Sequence, residues 1–292
     1  MNEKKPSKSI VISSKPGQLG NMLFLFSHFI AFGIEKNILI KAPAFEEYAG
    51  YFDTTRKALI PSYPKVNSAI RSKWLRKFFY SLNSIIAKII FRLKLNNRFV
   101  SSIFMNWTES LNLENEESLK RFNSRYIFIQ GWLYCSDTYI QKHKKAITDF
   151  FKPADFHLDR INKLMQSDHE VIIGIHIRQG DYKIFEGGKY FFDMNQYLSF
   201  MRRVLTLFPS KKFLFLICSN SHLKHEDFTG LPYILGTGRE IEDLYAFSKC
   251  NYLVGPPSTF TMWASFYGNV PLYEVHHPDK AFSLADFKVV EG

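Results

Sequence analysis

The most constraining stretch of this chain is a run of β-branched residues from 171 to 177, interrupted only by Gly174 and His176. It shows no alternation of polar and apolar residues, which indicates a strand buried on both faces, as in a parallel sheet. Strand-like and helix-like segments then alternate regularly up to residue 275. This alternation predicts an α/β protein whose parallel sheet is covered by helices on both faces.

The carboxyl end of that strand carries polar residues, since Arg178 and Asp181 follow His176 before a loop with two adjacent glycines. Open α/β sheets bind ligands beyond the carboxyl ends of their strands. A guanidinium group at this place suits the geometry of phosphate oxygens. The alternative is an ion pair between Arg178 and Asp181 that only tightens the turn. Spacing alone leaves both interpretations open.

A second polar turn lies between a strand at 252–254 and a helix at 258–267. Ser258 and Thr259 begin this helix, either as an ordinary cap or as a phosphate site made of hydroxyls and free helix N–H groups. Asp243 lies on the preceding helix, as a solvated carboxylate or as an acceptor for a ribose or a guanine edge. We expect the turns after residues 177 and 254 at the same edge of the sheet.

The first half opens with a strand at 9–13, a turn containing two glycines and a helix at 22–34. This order is the opening of a Rossmann-like half. Gly20 and Asn21 precede the helix, where free N–H groups can receive an anion or a sugar hydroxyl; a plain connecting turn is the alternative. A Lys-Pro pair at 152–153 marks the predicted boundary between an N-terminal domain, 1–153, and a C-terminal domain, 154–292.

Positive charge is concentrated in one part of the chain. The net charge is +11, and residues 54–108 contain 11 Lys or Arg and no Asp or Glu. Apolar residues recur at helical spacing from 71 to 93, with basic residues largely on the other side. The basic amphipathic segment 71–98 either contacts an anionic membrane or a phosphate-bearing acceptor, or contains a helix packed on the core with a solvated basic face. We expect the packed helix.

Other patterns exclude whole classes of protein. The three cysteines are odd in number and lack motif spacing, which argues against a disulfide framework and a zinc site and favours a reducing compartment. Neither a signal-peptide apolar region nor a membrane-spanning apolar stretch is expected. No nucleic-acid-binding motif occurs. We therefore expect a cytoplasmic protein without a nucleic-acid partner, with peripheral contact at the inner membrane face through 71–98 as an option.

Three motifs resemble those of the bacterial α-1,2-fucosyltransferases, glycosyltransferase family 11, within the wider group of GDP-fucose fucosyltransferases. They are Gly-Gln-Leu-Gly-Asn at 17–21, His-Ile-Arg-Gln-Gly-Asp-Tyr at 176–182, and Glu-Asp-Leu-Tyr-Ala-Phe-Ser-Lys-Cys at 242–250, which leads to Pro-Ser-Thr-Phe-Thr-Met-Trp at 257–263. Their order and spacing match from residue 17 to about residue 274. The chain departs from the family at Gln179, where a second arginine is usual, and at Met262, which reduces a usual tryptophan pair.

The resemblance implies a GT-B type of fold, with two Rossmann-like domains, a parallel sheet in each and the nucleotide site in the C-terminal one. It implies inverting transfer of fucose from GDP-fucose to a glycan acceptor, with a lipid-linked acceptor as an option, and neither a metal ion nor another cofactor. The implied donor-binding residues are Gly20, Asn21, His176, Arg178, Asp243, Ser258, Thr259 and Phe260.

The same resemblance implies catalytic candidates in the loop after residue 177. Arg178 would stabilise the charge that develops on the leaving diphosphate. Asp181 and Glu186 are the candidates for the base that takes the acceptor proton, although Asp181 fits the role of holding Arg178 better. Two further interpretations stay open: a related transferase with another GDP-sugar, and a non-catalytic basic protein that binds membrane or nucleic acid.

Overall fold

The chain forms two compact units in a computed structural model that describes residues 6–66, 68 and 72–292. The first unit runs to Ala154 and includes Gly292, and the second unit runs from Asp155 to Glu291. Arg71, the first residue of the predicted basic segment, lies outside the described residues.

The first unit contains seven strands and five helices among its described residues. The strands are β1 (Ser9–Ile12), β2 (Leu39–Lys41), β3 (Ser62–Tyr63), β4 (Val100–Phe104), β5 (Leu111–Asn112), β6 (Tyr126–Gln130) and β7 (Tyr134–Cys135). The helices are α1 (Leu19–Lys36), α2 (Lys73–Arg92), α3 (Glu116–Leu119), α4 (Asp137–Lys142) and α5 (Lys144–Phe150). The main sheet has the order β3-β2-β1-β6-β4, in which only the β2–β3 pair is antiparallel, and β5 pairs separately with β7.

The second unit alternates helix and strand more regularly. Its helices are α6 (Asp155–Leu164), α7 (Met194–Thr206), α8 (Glu240–Phe247) and α9 (Thr259–Gly268). Its strands are β8 (Val171–Ile177), β9 (Phe213–Ser219), β10 (Tyr233–Leu235), β11 (Tyr252–Gly255) and β12 (Leu272–Glu274). All pairs in the sheet β10-β9-β8-β11-β12 are parallel. The predicted α/β class with a parallel sheet is confirmed.

The strand order of the second unit determines where a ligand can bind. From β8 the chain builds outward through β9 to β10, then returns past β8 to add β11 and β12 on the other side. The order therefore reverses between β8 and β11, and their carboxyl ends flank the crevice in which doubly wound sheets bind ligands. The apolar run that predicted β8 is buried there, with Ile173, Ile175 and Ile177 in the core.

Helix α2 contradicts the predicted packing. Ala87 and Ile90 do contact the core beside β1 and β6, but the row Trp74, Phe78, Leu82, Ile85 and Ile89 is exposed. The rotation of the helix is fixed by Arg76, which is buried and donates hydrogen bonds from Nε to the Ala58 carbonyl (2.9 Å) and from Nη2 to the Arg56 carbonyl (2.5 Å). The expectation that the apolar face packs on the core is therefore wrong for most of that face.

Candidate functional site

A row of five residues crosses the second sheet at its carboxyl edge. His176 on β8 is the register partner of Cys218 on β9, and Gly255 on β11 is the partner of Glu274 on β12. Gly255 stands beside His176, because Val254 pairs with Ile175. Gly236 completes the row next to Cys218, since its N–H donates to the Ile217 carbonyl. Register partners in a parallel sheet point to the same face, so these five residues lie on one face of the sheet at its carboxyl edge.

The two glycines of the row are required by close contacts. A Cβ on Gly255 would lie 2.9 Å from the Cβ of His176. A Cβ on Gly236 would lie 2.5 Å from Asp243 Oδ1 and 2.7 Å from Cys218 Sγ. Because neither position leaves room for a side chain, Asp243 can approach the strand ends from α8 and the imidazole of His176 can pack against the backbone of β11.

His176 is buried against aromatic rings. Its imidazole stacks on Phe260 with centroids 5.1 Å apart and meets the edge of Phe247 at 6.0 Å. Burial, together with the positive charge of Arg178, lowers the pKa of His176 to about 3, so the ring is neutral at neutral pH. Its Nδ1 has no hydrogen-bond partner within the part of the chain that the structure describes. The histidine can therefore offer one hydrogen bond to a ligand without carrying charge.

Arg178 is held by a bidentate ion pair. Its Nε lies 3.0 Å from Asp181 Oδ1 and its Nη2 lies 2.8 Å from Asp181 Oδ2, while Asn220 donates a further hydrogen bond to Oδ1 at 3.1 Å. Burial alone would raise the pKa of Asp181, but the hydrogen bond and charge of Arg178 outweigh it and the pKa is lowered. The carboxylate therefore stays ionised and fixes the guanidinium at the carboxyl end of β8.

Gln179, the position at which the family usually has a second arginine, takes part in the loop itself. Its N–H donates to Asn220 Oδ1 at 3.1 Å, and its side-chain Nε2 donates to the Phe192 carbonyl at 3.4 Å. The side chain thus fastens the loop to the start of α7. At this position the chain therefore has a neutral side chain that holds the loop in place, where the motif usually has a second arginine.

Tyr182 joins the two polar turns, and the sequence did not single it out. Its hydroxyl donates to the Pro257 carbonyl at 2.5 Å, in the turn that leads into α9. Its ring lies under the guanidinium of Arg178, 5.2 Å from centroid to Cζ. The only sequence signal for this residue was its place at the end of the His-Ile-Arg-Gln-Gly-Asp-Tyr motif. Arg178 and the start of α9 are therefore tied together through one side chain.

The N-terminus of α9 lies on the β11 side of the crevice. Ser258 is its cap, and Ser258 Oγ accepts a hydrogen bond from the Phe260 N–H at 3.3 Å. Thr259 begins the helix, whose ten residues direct their positive dipole end towards this turn. Ser258, Thr259 and Phe260 thus lie where the sequence predicted, with Phe260 contributing the ring that stacks on His176.

Asp243 is buried, so the interpretation of a solvated carboxylate is wrong. Only 5% of it is exposed, and its Oδ1 accepts hydrogen bonds from the N–H (2.6 Å) and the hydroxyl (3.3 Å) of Thr237. Burial raises its pKa to about 6, against the opposing effect of the Thr237 hydrogen bonds. The carboxylate is therefore mostly ionised at neutral pH and faces the β9–β10 side of the row.

Two further carboxylates were missed by the sequence analysis. Glu242 is 1% exposed and accepts from His157 Nδ1 at 2.9 Å and from Arg160 Nη1 at 3.1 Å, which fastens α8 to α6. Glu274 ends the row on β12, and burial raises its pKa despite the nearby His276. The signal for Glu274 was its position at the end of the last strand.

The remaining sequence candidates lie elsewhere. Glu186 is exposed in the loop after β8, with a left-handed backbone (φ 49°), and its carboxylate makes no ion pair or hydrogen bond within the described residues. Gly20 and Asn21 do not precede the helix as expected, because α1 already begins at Leu19; both lie in its first turn in the first unit, after the carboxyl end of β1. Within residues 6–66, 68 and 72–292, no group of three or more His, Cys, Asp and Glu side chains is placed to hold a metal ion.

No protein-family model and no curated protein sequence matches this chain. Solved structures do match it. A mutant of Arabidopsis thaliana FUT1 in complex with GDP has a TM-score of 0.59 at 13% identity, over 98% of this chain and 75% of that one. NodZ alpha-1,6-fucosyltransferase soaked with GDP-fucose has a TM-score of 0.52 at 17% identity, over 96% and 97%.

POFUT1 in complex with GDP-fucose has a TM-score of 0.56 at 10% identity, over 92% of this chain and 96% of that one. These identities are too low to carry activity from one protein to another, but each match extends over most of both chains. The likeness shows that this chain shares the fold of these transferases, and it confirms the predicted GT-B type of α/β fold.

Proposed function

We propose that the protein transfers fucose from GDP-fucose to a glycan hydroxyl, in an α-1,2 linkage, with inversion and without a divalent metal. The observation that carries the proposal is that His176, Arg178 and the N-terminus of α9 meet at the switch point of the second sheet. The fold likeness supports it, because the similar proteins were solved with GDP or GDP-fucose. The α-1,2 linkage rests on the three sequence motifs.

Departure of the diphosphate is the step that this site is suited to assist. Negative charge builds on the leaving oxygen as the glycosidic bond breaks, and fixed positive groups that face it stabilise the transition state. Arg178 provides such a group, already oriented by Asp181. The N-terminus of α9, where the helix dipole is positive, provides a second positive end in the same crevice. These groups supply the charge that a divalent cation would otherwise contribute.

The nucleoside is proposed to bind on the β9–β10 side of Arg178. Asp243 presents an ionised, buried carboxylate there, which can accept hydrogen bonds from a guanine edge or a ribose. His176 lies between Cys218 and Gly255 in the row and two residues before Arg178 in sequence, with Nδ1 able to contact the diphosphate or ribose. Gly20 and Asn21 remain proposed donor contacts from the first unit.

The acceptor must lose a proton as its hydroxyl attacks. Asp181 is engaged by Arg178 and Asn220, and its lowered pKa makes it a weak base, so we assign it the role of positioning Arg178. We keep Glu186, whose exposed carboxylate is not engaged within the described residues, as the proposed base. The acceptor is a glycan, with a lipid-linked form included in the proposal. The cytoplasm is the proposed location, because all three cysteines are free thiols.

The test is thermal stabilisation by GDP in the presence of a chelator. At a ligand concentration of about 100 Kd, binding stabilises the native state by about 2.7 kcal/mol, which corresponds to a rise of roughly 8 °C in Tm. If Arg178→Ala weakens binding by about 100-fold, the remaining stabilisation is about 0.4 kcal/mol, or about 1 °C. Arg202→Ala is the matched control, because Arg202 is exposed on α7 of the same unit; it should keep the full shift.

A donor screen then separates the sugars. Slow hydrolysis of GDP-fucose, measured against GDP-mannose and GDP-glucose, needs no knowledge of the acceptor. Preferred hydrolysis of another GDP-sugar would replace fucose in the proposal. The absence of any stabilisation by millimolar GDP would refute the transferase function altogether.

A further inference from the structure

The outward face of α2 is apolar, where a helix on the surface of a water-soluble unit normally carries polar side chains. Trp74 is 71% exposed and Ile85 is 55% exposed, with Phe78, Leu82 and Ile89 also exposed between and beyond them. At 100° per residue these five side chains fall within about 80° of arc, and they extend over about 22 Å of helix. We call Trp74, Phe78, Leu82, Ile85 and Ile89 the outer stripe.

Cations border the outer stripe along one edge. Lys73, Lys77 and Lys88 each directly precede a stripe residue, and Arg92 follows Ile89 by three positions. All four are exposed, and none of them forms an ion pair within the described residues. Since no acidic residue occurs between 54 and 108, these charges have no neutralising carboxylate on their own segment.

The segment after the helix repeats the same two kinds of residue. Leu93, Leu95 and Phe99 are exposed, and Lys94 and Arg98 alternate with them. The guanidinium of Arg98 lies 4.9 Å from the centroid of the Phe99 ring. The pattern of exposed apolar and cationic side chains therefore continues from the helix into the approach to β4.

We propose that the outer stripe and its cations dock the first unit on the surface of an anionic lipid bilayer. A helix that lies in the interface buries its apolar face at the boundary between headgroups and acyl chains, while its basic side chains bind lipid phosphates. The arrangement on α2 provides both groups on one face. None of the helices in the described part of the chain has the length and apolarity of a membrane span.

Charge favours a lipid surface over a second copy of this chain. An isologous dimer through the outer stripe would bring the cations of one copy against those of the other, with no acidic partner on either segment. Anionic headgroups instead neutralise each cation. Nucleic acid would neutralise the cations as well, but it would not bury the apolar side chains of the outer stripe, which extends over about 22 Å, or about 15 residues, of α2. The docking does not depend on the sugar donor.

The experiment is flotation of the full-length protein with vesicles of phosphatidylcholine alone or mixed with phosphatidylglycerol, at low and high salt. The charge variant is Lys73→Ser, Lys77→Ser and Lys88→Ser, and the stripe variant is Trp74→Ser, Phe78→Ser and Ile85→Ser. The matched control removes the same charge from the second unit, through Lys163→Ser, Arg202→Ser and Lys288→Ser, which are all exposed. An unchanged Tm verifies that each variant is folded.

We expect binding to the anionic vesicles only, weakened by salt. Each lost cation lowers the affinity about fivefold, so the charge variant should lose roughly a hundredfold. The stripe variant should lose at least about tenfold even at low salt, because burial of large apolar side chains is lost. The control should bind as the unaltered protein does.

Several results would overturn the proposal. They are an absence of flotation with anionic vesicles, equal flotation with neutral vesicles, and binding that the stripe variant leaves unchanged. A dimer in sedimentation analysis that the stripe variant abolishes would show instead that a second copy covers this face. Preferential binding of an oligonucleotide over anionic vesicles would assign the cations to nucleic acid.

Discussion

Replacement of Gly255 by alanine tests the geometry of the carboxyl-end row directly. The added Cβ would lie 2.9 Å from the Cβ of His176 and 3.2 Å from its carbonyl oxygen. Carbon atoms pack at about 3.5–4.0 Å, so the first contact is short by at least roughly 0.6 Å. Neither neighbouring atom is the end of a flexible side chain, and the backbone of Gly255 is not left-handed. The strain therefore comes from packing alone, and strands β8 and β11 must separate to relieve it.

Overpacking of this kind costs about 1–3 kcal/mol. For a unit of about 140 residues this corresponds to a fall in Tm of roughly 4–12 °C, measured by differential scanning calorimetry. Displacement of the His176 imidazole should also reduce the stabilisation by GDP. Gly50→Ala is the control, because a Cβ there meets no heavy atom within 4 Å among the described residues, and alanine should leave Tm unchanged or raise it slightly.

An equal Tm for Gly255→Ala and Gly50→Ala would refute the close approach of β11 to β8. A large fall in Tm of Gly255→Ala with unaltered stabilisation by GDP would still support the close packing of β11 against β8. It would also show that His176 does not contribute to nucleotide binding.

Two carboxylates of α8 give further predictions. Burial raises the folded-state pKa of Asp243 from 3.8 to about 6, so the protein loses on the order of 3 kcal/mol of stability as pH rises between these values. Asp243→Asn should flatten the dependence of Tm on pH in this window. An unchanged pH profile would contradict the raised pKa of Asp243. Glu242→Gln leaves His157 and Arg160 without their shared carboxylate and should cost about 2 kcal/mol in urea unfolding, less than a fully buried pair because Arg160 is half exposed. A neutral Glu242→Gln would show that α6 and α8 do not depend on this contact.

The strands that the sequence predicted are those with a strong local signal. The apolar run of β8 and the short apolar segment of β11 need no partner to be recognised. β4, Val-Ser-Ser-Ile-Phe, and β10, Tyr-Ile-Leu, were missed because they are short or carry serines. They become strands through pairing with β6 and β9, which adjacent sequence does not reveal.

In the site, too, contacts between residues close in sequence could be predicted, and contacts between distant residues could not. Arg178 and Asp181 are three residues apart, so their ion pair was one of two interpretations available from spacing. The burial of Asp243 was not available, because α8 is buried over the whole of Ile241–Phe247 instead of on one face. Glu242 is compensated by residues more than 80 positions away in sequence, which no local pattern indicates.

Helix α2 shows how periodicity identifies an apolar face without identifying what the face contacts. The spacing of its apolar residues predicted the helix, and the helix is present from Lys73 to Arg92. Its rotation is decided by the hydrogen bonds of Arg76 to carbonyls 18 and 20 residues earlier. A basic residue at an inward position was not expected, and Arg76 lies on the inward side together with Ala87 and Ile90, opposite the exposed apolar row.

The hydrogen bond from the Tyr182 hydroxyl to the Pro257 carbonyl couples the positions of the two turns of the site. A displacement of the Pro257 carbonyl is transmitted to the ring that supports Arg178. Changes in the two turns are therefore energetically coupled, and their effects should not add in a double-mutant cycle. The same tie reduces the freedom that a ligand would otherwise have to remove on binding. A diphosphate bound as proposed would therefore require little rearrangement of these turns.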